Sequence, residues 1–152
     1  MKLNLPEYQF NIKRNEKGAL VIFDRLRNRF VTLTPEEWVR QNFVSYMIDG
    51  LHYPAALMAN EVSLTQNGIK RRCDTLVADR FGNPLVIVEY KAPNIEITQK
   101  VFDQIVRYNM VLKAKMLIVS NGLTHYCCVI DYSSNSYSFL ENIPEYDSEL
   151  LQ

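Results

Sequence analysis

Residues 70–93 read KRRCDTLVADRFGNPLVIVEYKAP, and the fold follows from how this stretch divides. Arg72 to Ala78 and Leu85 to Lys91 are runs rich in β-branched and apolar residues, and Asp79 to Pro84 between them carries turn chemistry. Two strands joined by a turn are predicted. Side chains alternate along a strand, so Leu85, Ile87, Glu89 and Lys91 share one face and Val86, Val88 and Tyr90 the other. Central strands seldom bury charge unless it is paired or binds a metal, so an apolar strand ending in an acid and a base on one face calls for an explanation. Asp74 stands on the preceding strand, near the start of its apolar run.

Upstream, Leu57 to Leu64 reads as a further strand. Thr34-Pro35-Glu36-Glu37 is a helix start, with Thr34 as cap, Pro35 at the first helical position and Glu37 placed for a capping box. That helix is predicted to run to about Asp49, with Gly50 ending it. On a helical wheel Val39, Phe43, Tyr46 and Met47 form its apolar arc, and Glu36 and Arg40 fall inside that arc rather than opposite it. Ala19 to Arg25 and Asn28 to Leu33 suggest a hairpin. Downstream of Pro93, a helix is expected from about Glu96 to Ala114 with Ile97, Val101, Ile105, Tyr108 and Leu112 as its stripe. Strands follow at Met116 to Ser120, His125 to Asp131 and Tyr137 to Leu140, and an acidic, frayed tail from Pro144.

Three strands in succession suggest an antiparallel meander, and the helix after the third permits a right-handed crossover to a parallel neighbour. The expected fold is α/β, a mixed β-sheet flanked by helices. Its parts are a hairpin extension over 1–33, a main unit over 34–143 and a tail over 144–152, all within one compact domain.

The 152 residues are 47% hydrophobic and 22% charged, an ordinary globular composition for one domain. Seventeen basic residues balance seventeen acidic ones, so any nucleic-acid contact must come from a local patch. Three cysteines, none at zinc-ligand spacing, fit a reduced intracellular protein. No secretory core follows Met1, and no apolar run approaches the ~20 residues that cross a bilayer. The expectation is a cytoplasmic protein without a membrane partner.

Two carboxylates on neighbouring strands repel each other unless a cation lies between them. Asp74 and Glu89, with the backbone carbonyl of Tyr90, would suit a hard divalent cation such as Mg²⁺, with Mn²⁺ as an alternative. Lys91, two residues beyond Glu89, can reach the same spot, to orient or help deprotonate a water or to stabilise charge on a phosphate. Glu36 could add a third carboxylate, and Glu37 is the weaker candidate because capping accounts for it. The arrangement suits metal-assisted phosphodiester hydrolysis. On the second helix Gln104 and Tyr108 stack on one face, beside a flank holding Lys100 and Arg107 that could contact backbone phosphates. Lys70, Arg71 and Arg72 could extend that patch.

As an ordered set, Asp74, Glu89-Tyr90-Lys91 and Gln104 with Tyr108 resemble the PD-(D/E)XK nuclease superfamily. More closely, the chain is similar to the N-terminal nuclease domain of the type I restriction enzyme R subunit. The likeness is carried by TPEEWVRQ (34–41), residues 70–93, FDQIVRYN (102–109) and LIVSNG (117–122), and spans about residues 20 to 130. It implies a restriction-endonuclease-like fold, Mg²⁺ dependence and DNA cleavage by an endonuclease or exonuclease. It also implies that Asp74 and Glu89 are metal ligands, Lys91 the catalytic lysine, Glu36 or Glu37 the helix carboxylate, and Gln104 and Tyr108 a supporting pair. The Pro usual before the Asp is Cys73 here. Such domains are usually fused to a DNA-translocating motor, so a motor or specificity subunit in trans is an expected partner, and a homodimer would pool two basic flanks. The alternative reading is a non-catalytic DNA- or protein-binding accessory module on a nuclease fold in a defence or repair system.

Overall fold

The structure, a computed structural model, describes residues 1–147 and 151. A three-stranded antiparallel sheet comes first, formed by β1 (Ile12–Arg14), β2 (Leu20–Asp24) and β3 (Arg29–Thr32) in that order. The hairpin expected over residues 19–33 is present as β2 and β3. The third strand, β1, is only three residues long and wholly exposed, so no apolar alternation marks it in the sequence.

Helix α1 (Pro35–Ser45) starts where the Thr34 side chain accepts the Glu37 backbone N–H at 3.0 Å, and its last turn widens into a π-helical turn over Tyr46–Gly50. The expected capping box is only half made. The Glu37 carboxylate turns instead to Arg27 and Gln41, at 2.8 and 2.9 Å, because a guanidinium is a stronger partner than a backbone N–H. Val39, Phe43 and Met47 are fully buried, as the apolar arc requires, and Arg40 is buried with them at 3% exposure.

The second sheet has six strands in sequence order: β4 (Met58–Gln66), β5 (Ile69–Ala78), β6 (Pro84–Tyr90), β7 (Met116–Ser120), β8 (His125–Asp131) and β9 (Ser136–Leu140). Neighbours are antiparallel except β6 and β7, which run parallel. Asn67 and Gly68, both with positive φ, close a tight β4–β5 hairpin, so both strands run further than their apolar residues suggest. Asp79 organises the β5–β6 turn by accepting the N–H groups of Phe81 and Asn83.

Helix α2 (Gln99–Asn109), capped by Thr98, supplies the crossover between the parallel strands. It begins three residues later than expected, and this shifts its buried stripe. Phe102, Val106 and Asn109 face the sheet, Ile97 precedes the helix, and Tyr108 is 45% exposed. A short 3₁₀ turn over Met110–Leu112 ends at Lys113, which has φ +58°.

The two sheet faces carry separate apolar layers. Val39, Phe43 and Met47 of α1 pack on Val86, Val88 and Tyr90 of β6 and on Ile118 of β7. Phe102 and Val106 of α2 pack on Ile87, Leu117 and Val119. Each face of the buried central strands is thus covered by one helix. Residues 144–147 are not frayed. The Tyr53 hydroxyl donates to the Pro144 carbonyl, the Tyr146 N–H donates to Leu51, and the two rings meet edge to face. The rest of the expected tail, except Leu151, lies outside the described residues.

Candidate active site

The site grows from a defect in sheet pairing. β5 and β6 are paired from Ala78 back to Thr75, opposite Val88, and pairing ends there. The Tyr90 N–H beyond that point has lost its ladder partner, and the Asp74 carboxylate takes its place at 2.9 Å. On the other side, β4 pairs with β5 at Asn60 and at Val62 but skips Glu61, whose φ is +56°. Asp74 therefore sits in a split between strands.

The Glu89 carboxyl, next to Tyr90 on β6, lies against that of Asp74. Burial, then the Asp74 charge, pushes the Glu89 carboxyl far above the ordinary carboxylate range, against weaker relief from Asn109 and Lys91. One of its oxygens, Oε1, is buried with no hydrogen-bond partner among the described residues. Glu36 approaches from α1. Burial and the Asp74 charge raise its carboxyl too, and Arg40 and Lys91 oppose the rise. Lys91 thus acts on both Glu36 and Glu89, and its own N–H extends the parallel pairing by donating to Ser120 at 2.9 Å. Asp74, Glu89, Lys91 and Glu36 are brought together. Glu37 is not part of this group, being bound to Arg27, Gln41 and Arg40.

Carboxylate oxygens facing each other, one orphaned, form a hard-donor set that a divalent cation would neutralise. In donor chemistry the Asp74 and Glu89 carboxyls therefore suit such an ion. Among the described residues no three His, Cys, Asp or Glu side chains form a ready-made cage.

Gln104, Tyr108 and Asn109 of α2 line, with Glu89, a groove of about 270 Å³. Gln104 and Tyr108 are exposed, and so are Lys100 and Arg107 on the neighbouring ridge. Arg71 clamps this end of the helix. Its guanidinium stacks 4.5 Å from the Tyr108 ring centre and its Nε donates to the Tyr108 carbonyl at 2.7 Å. Arg72 is turned the other way and ion-pairs with Glu61, which also holds Arg40. The basic run 70–72 is therefore split between two jobs.

Residues that the sequence did not mark support the site from below. The Tyr90 hydroxyl donates to Thr75 at 2.8 Å, Thr75 to Asn60 at 2.7 Å, and Asn60 to Asp24 of β2 at 2.9 Å. The Arg40 guanidinium lies 5.7 Å from the Tyr90 ring centre. The signal that could have exposed this network was Arg40, a cation on a core-facing helix arc that must find buried acids.

On the α1 side, a cleft of about 690 Å³ opens between the N-terminal sheet and the site, lined by Arg27, Arg29, Glu36, Arg40 and Glu61 among others. No helix among the described residues is long and apolar enough to cross a membrane.

Comparison with known proteins bears on these features. No curated protein matches the chain. Among solved structures, the fold is similar to a fragment of a putative HsdR subunit of a type I restriction enzyme from Vibrio vulnificus, with a TM-score of 0.54 and 22% identity. That match covers 76% of this chain and 24% of the other, so the chain spans about a quarter of its relative. The family model of the type I restriction enzyme R protein N terminus matches residues 35–144, well over half the chain. The chain therefore belongs to the type I restriction enzyme R protein N-terminal family.

Proposed function

We propose that the chain is a Mg²⁺-dependent deoxyribonuclease module of the PD-(D/E)XK type, the DNA-cutting part of a type I restriction R subunit. The observation that carries this reading is the Asp74–Glu89 carboxyl pair in the strand split, with Glu89 Oε1 orphaned and Lys91 beside it. Asp74, Glu89 and the Tyr90 carbonyl would hold the ion. Bound there, Mg²⁺ or Mn²⁺ would supply positive charge to the scissile phosphate and acidify a water.

The chain's own groups do the rest. Lys91 orients the attacking water and offsets charge developing on the phosphate. Glu36, its carboxyl raised by burial and by Asp74, is the carboxylate base placed to take the water's proton as the new P–O bond forms, and as the ester P–O bond breaks the leaving oxygen takes a proton from solvent. Gln104 and Tyr108, exposed beside Glu89, hold the DNA backbone, and the ridge of Lys100 and Arg107 adds phosphate contacts. Arg72, committed to Glu61, supports the site rather than the DNA. Motor and specificity subunits would deliver the DNA in the cytoplasm.

The test is cleavage of supercoiled and linear DNA with Mg²⁺ or Mn²⁺, for wild type, Lys91→Ala and Asp74→Ala. Both variants should lose at least about 100-fold in rate while keeping the wild-type circular dichroism spectrum. Equal residual cutting by wild type and Lys91→Ala would overturn the reading. The zero net charge favours a second one, a non-catalytic DNA- or protein-binding accessory module. Salt-sensitive DNA retention with no turnover in any metal would select it.

A further inference from the structure

The chain's neutrality conceals two oppositely charged parts. Residues 1–33 hold seven Lys and Arg against three Asp and Glu, and residues 34–152 hold ten against fourteen. The N-terminal segment is therefore +4 and the remainder −4. Within the segment, Arg27 is bound to Asp24 and Glu37, and Arg25 to Asp49. Among the described residues Lys13, Arg14, Lys17 and Arg29 have no carboxylate partner, and all four are exposed. They are held in place by other means. Lys13 lies 4.1 Å from the Phe30 ring centre, and Arg14 donates to the Gly18 carbonyl at 2.7 Å.

Their position relative to the site gives this charge a use. Arg29 lines the cleft that Glu36 lines from the opposite wall. By the strand register Arg14 shares Arg29's sheet face, separated from it along β2 by the span from Leu20 to Asp24, roughly 13 Å at 3.3 Å per residue. Ile22 and Asp24 are buried on that face, and Lys13, beside Val21 and over Phe30, projects from the other, so Arg14, Lys13 and Lys17 cluster at the exposed β1 edge while Arg29 lies at the cleft. Lys100 and Arg107, by contrast, are accompanied on their helix by Asp103.

We propose that the exposed rim of the N-terminal sheet is a docking surface for the phosphate backbone of duplex DNA, met by Arg29 at the cleft and by Arg14, Lys13 and Lys17 at the β1 edge. The inference rests on the nuclease reading for its choice of polyanion and deepens it by naming the surface that binds the substrate. Contacts of this kind position a duplex without reading its sequence.

The test is fluorescence anisotropy of a labelled 24-base-pair duplex in EDTA, over a NaCl series, with the full chain. The fourfold variant Lys13→Ala/Arg14→Ala/Lys17→Ala/Arg29→Ala should bind at least about tenfold more weakly, with the slope of log K against log salt shallower by about 3 to 4. The charge-keeping variant Lys13→Arg/Arg14→Lys/Lys17→Arg/Arg29→Lys should restore both, and the loss should be the same on a duplex of unrelated sequence. Unchanged affinity and slope, a loss confined to Lys100→Ala/Arg107→Ala, or no binding by wild type would each overturn the proposal. Because binding is read without metal, wild type that binds as described but never cuts would sink the nuclease reading alone. Cutting by wild type and by the fourfold variant at equal rates, with equal affinity, would sink this one alone.

Discussion

Asp24 lies on the N-terminal sheet, outside the matched family segment, yet it is wholly buried and anchors the site network. Burial alone would push its carboxyl up. The N–H of Arg27, the Asn60 amide, the Arg27 guanidinium and the N–H of Leu26 outweigh burial and hold it below the usual range. Asp24→Ala removes all four bonds. It leaves the buried Asn60 amide without its acceptor, at about 1–3 kcal/mol. It also removes a charge-assisted bond to Arg27, about 1.5–3 kcal/mol, part of which is recovered because Arg27 keeps Glu37. The expected net loss is about 3–5 kcal/mol, the usual cost of breaking a buried pair and a large share of a single domain's stability. Asp24→Asn should lose slightly less, since one side-chain oxygen can still serve the turn. Urea unfolding at pH 7 and 25 °C measures both. The acid dependence provides an internal control. A carboxyl lowered in the folded state stabilises above its unfolded value, near ~3.9, and that contribution disappears as pH falls through the folded value. The gap between wild type and Asp24→Asn should therefore narrow between pH 5 and pH 2. A cost below about 1 kcal/mol for both variants, or a gap indifferent to pH, would refute the account of Asp24 as the buried anchor.

Three further outcomes are expected. Because the Glu89 carboxyl is raised, the folded protein keeps its proton to higher pH than the unfolded chain, so stability is full below about pH 4 and declines as pH rises. Glu89→Gln should therefore raise the calorimetric melting temperature in EDTA at pH 8 and leave it nearly unchanged at pH 4, and a shift equal at both would count against the buried pair. Gly122 has φ +87°, and a Cβ there would lie 2.7 Å from the Leu3 side chain and 3.2 Å from Val39. Gly122→Ala should cost about 1–3 kcal/mol in urea unfolding, and a neutral result would show that the N-terminal arm gives way freely. Arg71→Ala removes the stack and the bond to Tyr108 and should cost about 1–2 kcal/mol. Arg71→Lys, which lacks the planar fork, should recover less than half of that loss by thermal denaturation, and full recovery would reduce the clamp to simple charge.

Periodicity and turn chemistry were enough to place most of the elements. The alternation of Leu85 to Lys91 put Val86, Val88 and Tyr90 on one face and Leu85, Ile87, Glu89 and Lys91 on the other, and the two apolar layers divide the same way except at Leu85, which beside the register shift at Val77 and Ala78 packs with Val86 and Val88. The start of α1 was legible because Thr34 and Pro35 act locally, whatever surrounds them. The stripe of α2 was misplaced because Thr98, a cap only if the chain before it is extended, competes with an equally apolar earlier frame that includes Ile97. β1 was invisible, since three exposed residues carry no pattern and pair only because β2 is already in place.

The sequence by itself determined which residue types lie on which strand face and in what order the acids and the amine occur, because alternation and capping are local steric rules. Only the tertiary structure decided that β5 parts from β6 beyond Thr75 so that Asp74 meets Glu89, and that Asn60 and Asp24 brace that split from a separate sheet. It alone also set exposed Arg29 of the first sheet in the same cleft as Glu36. Pairing defects, buried networks and surface fields depend on residues far apart in the chain, whose approach no local periodicity encodes.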